Sequence, residues 1–154
     1  KARAVFVTYE GKVIAFDVDD LSYATEERIR LAATDYVIAS FITHADDSLL
    51  FVTQTGKVIH RESKSIETSK SSTAKGQSLI PPSRLEQGVR FMGAASVKDS
   101  DADAIAALDA TGRLQILEAD SMTGSGSIAV EAWILSIGLI QADGGVKRNS
   151  LAKV

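Results

Sequence analysis

VFVTYEGKVIAF at residues 5–16 and LFVTQTGKVIHR at residues 50–61 are nearly the same dozen residues, written twice at a distance of 45 positions. In each copy an apolar, β-branched run enters a short polar turn, a glycine and a lysine follow, and a second apolar run returns. This order is typical of a β-hairpin whose glycine adopts a positive φ angle. Looser copies are ALDATGRLQIL at 107–117 and LIQADGGVKR at 139–148. The sequence therefore predicts a repeat architecture.

The segments that follow the hairpins extend each repeat into a larger unit. After each of the first two hairpins comes a polar stretch and then a pair of apolar runs, at 30–42 and 77–97. One unit thus holds four predicted strands in roughly 45–55 residues, the size of a propeller blade. We predict an all-β fold of propeller-like, four-stranded blades. The chain would be a single repeat domain, 1–154, with units at about 1–45, 46–101 and 102–154.

The second repeat carries the most specific pattern. Its hairpin is followed by Thr73-Ala74-Lys75-Gly76 and then by a strand pair that ends in Ala94-Ala95-Ser96-Val97. This order resembles the repeats of the C-terminal domain of the DNA gyrase A subunit and of its topoisomerase IV counterpart. The resemblance covers residues 5 to about 117 well and the remainder loosely.

The resemblance implies a β-pinwheel, a propeller-like ring of six blades that bends duplex DNA around a basic outer rim. It also implies a location in the bacterial cytoplasm or nucleoid, or inside an organelle. It implies no cleavage chemistry, because the catalytic tyrosine of that family lies in a separate domain. Two features depart from the family. The basic box QRRGGKG has no match beyond STAKGQS at 72–78, and the spacings between the aligned glycines are 45, 56 and 32 residues.

The amino-acid composition excludes several other classes of protein. Apolar residues make up 45% of the chain and charged residues 24%, as in soluble globular proteins. The absence of cysteine excludes a disulfide framework and a thiolate zinc site. The longest apolar run, at 128–140, contains Glu131 and is too short to span a membrane. We therefore expect it to be buried, with Trp133 as a core aromatic residue, although Trp133 could instead stack on a partner.

Charge is unevenly spread along the chain. The net charge of −3 argues against a nucleic-acid binder that relies on bulk positive charge. The region 57–98, however, holds eight basic residues against three glutamates. From it we select as candidate phosphate-binding residues Lys57, Arg61, Lys64, Lys70, Lys75 and Arg84. We expect Lys64, Lys70 and Lys75 to lie together on the outer rim; the alternative is a solvated loop whose lysines serve solubility.

No group of residues has the pattern of an active site. Asp99, Asp101 and Asp103 alternate as in a calcium loop, but the glycine and glutamate that such a loop requires are missing. His44 and His60 lie in different units without a nucleophile nearby in sequence. We therefore expect no catalysis, no cofactor and no metal.

The sequence is compatible with two functions. One is a non-catalytic module that holds duplex DNA by its phosphates; the other is a protein interaction scaffold in a larger assembly that keeps the fold without binding DNA. Three blades would cover half of a six-bladed ring and leave apolar surface and strand edges open at both ends. We therefore expect a homo-oligomer or docking within a larger complex, with the run 128–140 as the buried contact.

Overall fold

The computed structural model describes residues 1–21, 27–70, 73–98, 104–118, 126–127 and 132–140. These ranges contain eleven strands and one short helix: β1 (Arg3–Thr8), β2 (Lys12–Asp17), β3 (Val37–Thr43), β4 (Ser48–Thr53), β5 (Lys57–Glu62), β6 (Gln77–Ser78), α1 (Pro82–Glu86), β7 (Phe91–Val97), β8 (Ala104–Asp109), β9 (Leu114–Glu118), β10 (Gly126–Ser127) and β11 (Ile134–Ile140). The expected all-β fold is confirmed. The aspartates at 99, 101 and 103 lie outside the described residues.

The strands form three antiparallel sheets, each built on one of the repeated hairpins. The first sheet has the order β3-β1-β2-β6, the second β10-β5-β4-β7, and the described part of the third β11-β8-β9. The hairpins β1-β2, β4-β5 and β8-β9 turn at the three glycines that the sequence aligned. Their alternating apolar residues explain why these elements were predictable.

The fourth strand of each four-stranded sheet comes from the following repeat. β6 lies in the second repeat yet pairs with β2, and β10 lies in the third repeat yet pairs with β5. The sequence alone predicts that all four strands of a blade come from one unit. Instead the second and the third repeat each contribute a strand of only two residues to the sheet of the preceding repeat. Consecutive sheets are thereby joined by main-chain hydrogen bonds as well as by packing.

One predicted strand is absent from the described residues because local interactions replace it. The apolar run that begins at residue 30 forms no strand before β3. There the Asp35 carboxylate accepts hydrogen bonds from the amides of Glu10 and Tyr36, which ties the segment to the first turn. In the second repeat both predicted strands are present, as β6 and β7. The connection between them forms α1, which Pro82 opens, where a missing amide hydrogen costs nothing.

The core lies between the sheets, and the two faces of β4 serve different neighbours. Leu49 and Phe51 pack towards the first sheet, against Val7 and Val13 among others. Leu50 and Val52 point the other way and pack with Ile105, Ala107 and Ile134 of the third sheet. This twofold period in a strand buried on both faces accounts for the unbroken apolar run of β4.

A repeated main-chain contact also joins neighbouring sheets. The amide of Phe91, which opens β7, donates to the carbonyl of Tyr9 in the first turn at 2.9 Å. The amide of Ile134, which opens β11, donates to the carbonyl of Gln54 in the second turn at 2.8 Å. The first residue of β7 or β11 is thus fixed to the turn of the preceding sheet.

One expectation about the C-terminal region is wrong. Trp133 is 66% exposed, because it lies just before β11 at the turn end of the third sheet and is not in the core. Leu139 and Ile140, which begin the fourth aligned copy, pair with Ile105 and Ala104 as the end of β11 and belong to the third sheet. The rest of that copy, including Gly144, lies outside the described residues. Within those ranges, no helix is long and apolar enough to cross a membrane.

Candidate nucleic-acid interface

A basic residue follows the turn of each hairpin at the same repeat position. These residues are Lys12, Lys57 and Arg113, and each comes directly after the repeated glycine. Because consecutive sheets are built alike, the three residues occupy equivalent places at one end of the strands. We call this end the turn edge, and it consists of the three hairpin turns at 9–12, 54–57 and 110–113 with the residues that contact them.

One side chain fixes the backbone of each of these basic residues. The hydroxyl oxygen of Thr8 accepts a hydrogen bond from the Lys12 amide at 2.9 Å, and that of Thr53 accepts one from the Lys57 amide at 3.1 Å. In the third repeat a carboxylate does the same, since Asp109 Oδ1 accepts from the Arg113 amide at 3.0 Å. The turn is therefore held by a side chain in all three hairpins, and the side chain of the basic residue that follows projects from a fixed backbone position.

Asp109 differs from the two threonines by its charge. Its Oδ1 also accepts hydrogen bonds from the hydroxyl and the amide of Thr111, at 2.6 and 2.9 Å. The Thr111 hydroxyl is the largest cause that lowers the pKa of the Asp109 carboxyl, with the Arg113 and Thr111 amides and the Arg113 charge adding to it against a desolvation cost. The carboxyl is therefore ionised at neutral pH, and the third turn carries both signs of charge.

At the first sheet, three cations surround one depression. Lys12 of β2, Arg30 and Lys75 line a cavity of about 290 Å³ together with Glu10 and Asp35. Glu10 accepts a hydrogen bond from the Thr34 hydroxyl at 2.7 Å, and Asp35 accepts from two backbone amides. Both carboxylates thus accept hydrogen bonds from neutral groups and keep their negative charge, and the three cations come from three separate segments. We call Lys12, Arg30 and Lys75 the first basic cluster.

At the second sheet, Lys57 and Arg84 line a smaller cavity of about 140 Å³. Its wall also includes the hydroxyl-bearing residues Thr53 and Thr55 and Pro81, which directly precedes α1. The rest of the wall is apolar and consists of Ile59, Leu79, Ile80 and Val89, and none of the described residues that line it is a carboxylate. Both cations are exposed to solvent. We call Lys57 and Arg84 the second basic cluster. Two positive charges and hydroxyl donors around a small concavity suit a phosphate group.

Arg61, Lys64 and Lys70 line neither of these two cavities. Arg61 is four residues beyond Lys57 on β5, which places it about 13 Å from the turn edge. Lys64, in a 3-10 turn after β5, forms an exposed ion pair with Glu62 at 3.5 Å. Lys70 is exposed and precedes residues that the structure does not describe. Of the six predicted residues, Lys57, Lys75 and Arg84 therefore lie at the turn edge, and Arg61 and Lys64 lie away from it. That Lys64, Lys70 and Lys75 lie together stays a prediction.

Lys12 and Arg30 were missed because the first unit has more acidic than basic residues. A usable signal was present for Lys12, since it holds the repeat position of Lys57. No comparable signal pointed to Arg30, which reaches the cluster through an irregular segment held by two backbone hydrogen bonds between 28–30 and Ala74.

Aromatic and basic side chains alternate at another repeat position on this edge. The amides of Tyr9, Gln54 and Ala110 donate to the carbonyls of Tyr36, Arg90 and Trp133 respectively, so those three residues are equivalent. Tyr36 is 53% exposed and stacks on Tyr9 with ring centroids 4.8 Å apart, and the Arg90 guanidinium lies 5.6 Å from the Tyr9 ring. Within the described ranges, no three carboxylate or imidazole groups come together as a metal site would require.

Known proteins resemble this chain in structure. The C-terminal domain of DNA topoisomerase IV superposes with a TM-score of 0.76 at 16% identity, over 98% of this chain and 50% of that one. The DNA gyrase A C-terminal domain superposes with a TM-score of 0.67 at 14% identity, over 93% of this chain and 49% of that one. The E. coli ParC C-terminal domain superposes with a TM-score of 0.61 at 16% identity, over 100% of this chain and 72% of that one. The chain thus spans about half the length of the first two.

Sequence comparison adds no relative: no family model matches the chain, and no curated protein matches it. At identities of 14–16% the structural likeness concerns the fold. Three antiparallel sheets that exchange strands between consecutive repeats, together with these superpositions, show that the chain has the β-pinwheel fold of the C-terminal domains of gyrase A and topoisomerase IV.

Proposed function

We propose that this chain is a non-catalytic module that binds duplex DNA by its phosphates along the turn edge. The observation that carries the proposal is the pair of basic clusters at equivalent turns of adjacent sheets. The first contains Lys12, Arg30 and Lys75, and the second contains Lys57 and Arg84. The likeness to domains of two DNA topoisomerases supports the choice of ligand. A bacterial cytoplasmic or nucleoid location belongs to the same proposal.

The chemistry of the turn edge suits phosphates better than bases. Lysine and arginine side chains with neighbouring hydroxyl groups donate to phosphate oxygens and give position without sequence readout. The hydrogen bonds to Thr8 and Thr53 that hold the first two turns keep the lysine backbones in place, so little ordering of the backbone is needed on binding. The exposed aromatic residues Tyr36 and Trp133 add flat surfaces beside the cations.

The net charge of −3 is compatible with this mode because binding depends on local rather than total charge. None of the described residues that line the cavity at the second cluster is a carboxylate, and at the first cluster three cations outnumber the two carboxylates Glu10 and Asp35. Acidic residues elsewhere would oppose binding to other faces. The proposed surface is therefore a narrow track and not a broad basic patch.

A charge-matched pair of double variants tests the proposal. Lys57→Gln with Arg84→Gln removes the second cluster, and Arg61→Gln with Lys64→Gln removes the same charge from β5 and the 3-10 turn that follows it. Fluorescence anisotropy with a labelled duplex should show at least tenfold weaker binding for the first variant. The slope of log affinity against log salt should become shallower by about 0.9 for each phosphate that the variant no longer neutralises. Equal losses of affinity in both variants, or no binding of the unmodified chain at about 50 mM salt, would contradict the proposal.

A second function, that of a protein interaction scaffold, is favoured by one observation. The third sheet carries exposed apolar side chains at Leu108, Leu114 and Ile116. A surface of that kind marks a contact with another protein surface. If the chain binds no duplex at low salt but does associate through this sheet, the scaffold function replaces the DNA-binding one.

A further inference from the structure

Two of the three equivalent positions that precede β3, β7 and β11 hold an exposed aromatic ring. Tyr36 is 53% exposed in the first repeat and Trp133 is 66% exposed in the third, whereas Arg90 holds the position in the second. The carbonyl of each residue accepts a hydrogen bond from the first amide of a hairpin turn, so all three lie on the turn edge. We call Tyr36 and Trp133 the aromatic platforms.

The backbone of both aromatic platforms is held by hydrogen bonds and by packing. The carbonyl of Tyr36 accepts from the Tyr9 amide at 2.9 Å, and that of Trp133 accepts from the Ala110 amide at 2.8 Å. Ile134, the residue after Trp133, is only 1% exposed and belongs to the core. Both rings therefore project from fixed backbone positions, so little backbone order is needed for a ligand to stack on them.

One face of the Tyr36 ring is covered by another aromatic ring. Tyr36 stacks on Tyr9 with ring centroids 4.8 Å apart and an interplanar angle of 15°. The Arg90 guanidinium, which donates to the carbonyls of Leu85 and Val89 at 2.8 Å, lies 5.6 Å from the Tyr9 ring. Because Tyr36 is still 53% exposed, its accessible surface consists of the opposite face and the edge of the ring. That face can extend the stack by one more aromatic ring.

Each aromatic platform is bonded to a turn that carries a basic residue. The turn bonded to Tyr36 contains Lys12, which lines the cavity of the first basic cluster together with Asp35, the neighbour of Tyr36. The turn bonded to Trp133 contains Arg113, which is exposed. A nucleotide has an anionic phosphate and a flat aromatic base, and cations beside exposed aromatic rings are the combination that binds single-stranded nucleic acid.

The faces of the bases are accessible only where DNA is unpaired. In a paired duplex each base is stacked between its neighbours, and a side chain reaches the face of a base only after the base is unstacked. Bases that are mismatched or already single-stranded are the easiest to reach. The two basic clusters therefore suit the phosphates of any DNA, whereas the aromatic platforms suit unpaired bases.

We propose that Tyr36 and Trp133 stack on unpaired bases, so that these bases add affinity to that which the phosphates of the DNA provide. This inference rests on the proposed binding of DNA phosphates at the same edge. The preference is for unpaired bases of any identity, because every base has a face on which an aromatic ring can stack. The basic residue in each bonded turn favours nucleic acid over a protein as the occupant, because an anionic backbone complements its charge.

The fluorescence emission of Trp133 tests stacking directly, because the chain contains a single tryptophan. Three probes are compared at about 50 mM salt: a single-stranded oligothymidine, an abasic oligomer with the same number of phosphates, and a duplex whose ends are closed by glycol linkers. The oligothymidine should quench the emission as it binds, since a base then lies on the indole ring, and the other two probes should quench it much less. Equal quenching by the oligothymidine and the abasic oligomer at saturation, or none by the oligothymidine once bound, would overturn stacking at Trp133.

Variants that remove one ring measure its contribution to the base preference, which is the ratio of the affinities for the oligothymidine and the abasic oligomer. In fluorescence anisotropy, Tyr36→Leu and Trp133→Leu should each lower this ratio at least fivefold. Tyr36→Phe and Trp133→Phe keep a ring and should retain most of the ratio. Val18→Ala, at an exposed apolar residue just beyond the end of β2 that is farthest from the turn edge, should leave it unchanged. An unchanged ratio in both leucine variants, with circular dichroism showing that they are folded, would overturn the inference.

The same three probes separate this inference from the proposed function. If the closed duplex binds but the oligothymidine binds no more tightly than the abasic oligomer, the proposed function stands and base stacking is overturned. If the oligothymidine binds and quenches Trp133 while the closed duplex does not bind, base stacking stands and duplex binding at the turn edge is overturned. If none of the probes binds, both are overturned, and the exposed rings are left for a protein partner.

Discussion

Single residues in the turns decide how firmly the basic side chains are held. Gly11 and Gly112 occupy the same repeat position with φ angles of +93° and +84°. They differ in their surroundings: a Cβ atom on Gly11 would lie 2.5 Å from Ile80, whereas one on Gly112 would meet nothing within 4 Å. Substitutions at these two glycines therefore separate the free-energy cost of backbone strain from that of steric conflict.

Alanine at these two positions should therefore have unequal effects. Gly112→Ala carries only the cost of a positive φ angle, about 1–2 kcal/mol of the free energy of unfolding. Gly11→Ala carries that cost and also displaces Ile80 from the core, so it should lose at least about 1 kcal/mol more. Urea denaturation of both variants measures the difference. Equal losses would mean that Ile80 adjusts freely.

Asp109 makes the third turn sensitive to pH. Hydrogen bonds from Thr111 and Arg113 lower the pKa of its carboxyl below the ordinary value of 3.8. A lowered pKa means that the carboxylate stabilises the folded chain fully above that ordinary value, and that this contribution is lost as the pH falls through the lowered pKa.

Carbon-13 NMR of the Asp109 carboxyl in the folded chain should accordingly give a midpoint below 3.8. In Thr111→Val, which removes the largest cause of the shift, the midpoint should move upwards. A midpoint at or above the ordinary value in the unmodified chain would show that the bonds from Thr111 and Arg113 do not hold the carboxylate in solution.

At the scale of elements, the sequence predicted the hairpins well and the strands exchanged between repeats poorly. β1-β2, β4-β5 and β8-β9 have alternating apolar residues and a glycine at each turn, which are local signals. β10 is two residues long and has no apolar residue, so nothing in its own sequence indicates a strand. β6 lies at the start of an apolar run that was predicted as a strand, but nothing in its sequence indicates that it pairs with the preceding sheet. Their partners lie in another repeat, and only the three-dimensional arrangement brings them together.

The candidate site was predictable to a similar extent. Lys57, Lys75 and Arg84 followed from the local charge of the second repeat. Lys12 and Arg30 did not, because their cluster forms only when the loop that carries Lys75 crosses to the first sheet. Trp133 was misplaced because an apolar run does not show which of its residues lies beyond the end of a strand.

A buried polar network fixes the first and second sheets together. The Arg3 guanidinium donates to the carbonyls of Ser63 and Ile66 and to the Ser63 hydroxyl at 2.9 Å. The Thr43 hydroxyl lies 2.8 Å from that of Ser96 and 3.1 Å from that of Ser63. Arg3 is 9% exposed, so its acceptors are largely shielded from water.

Arg3→Met should therefore destabilise the chain by on the order of 2–3 kcal/mol, because it keeps the apolar stem but leaves buried carbonyls without their donors. Lys1→Met is a suitable control, since the Lys1 side chain is 60% exposed and its ammonium forms ion pairs of 3.7 Å with Asp17 and Asp19 at the surface. Thermal unfolding compares the two variants. A loss of stability in Arg3→Met no larger than that in Lys1→Met would show that the network does not hold the sheets together.

At the scale of the whole molecule, the repeat places equivalent residues at equivalent points of successive sheets. The turn edge runs across these sheets and carries the two basic clusters. In the proposed interface, a duplex that lies along the turn edge would therefore contact the first and the second basic cluster in turn.

The most direct test of DNA binding at the turn edge is a titration of a short duplex into the nitrogen-15-labelled chain, followed by NMR. The largest amide shifts should fall at Lys12, Lys57, Lys75 and Arg84 and in the turns beside them, and they should diminish as salt is raised. Shifts centred on Arg61 and Lys64 beyond the turn edge, or no shifts at about 50 mM salt, would contradict the proposed interface.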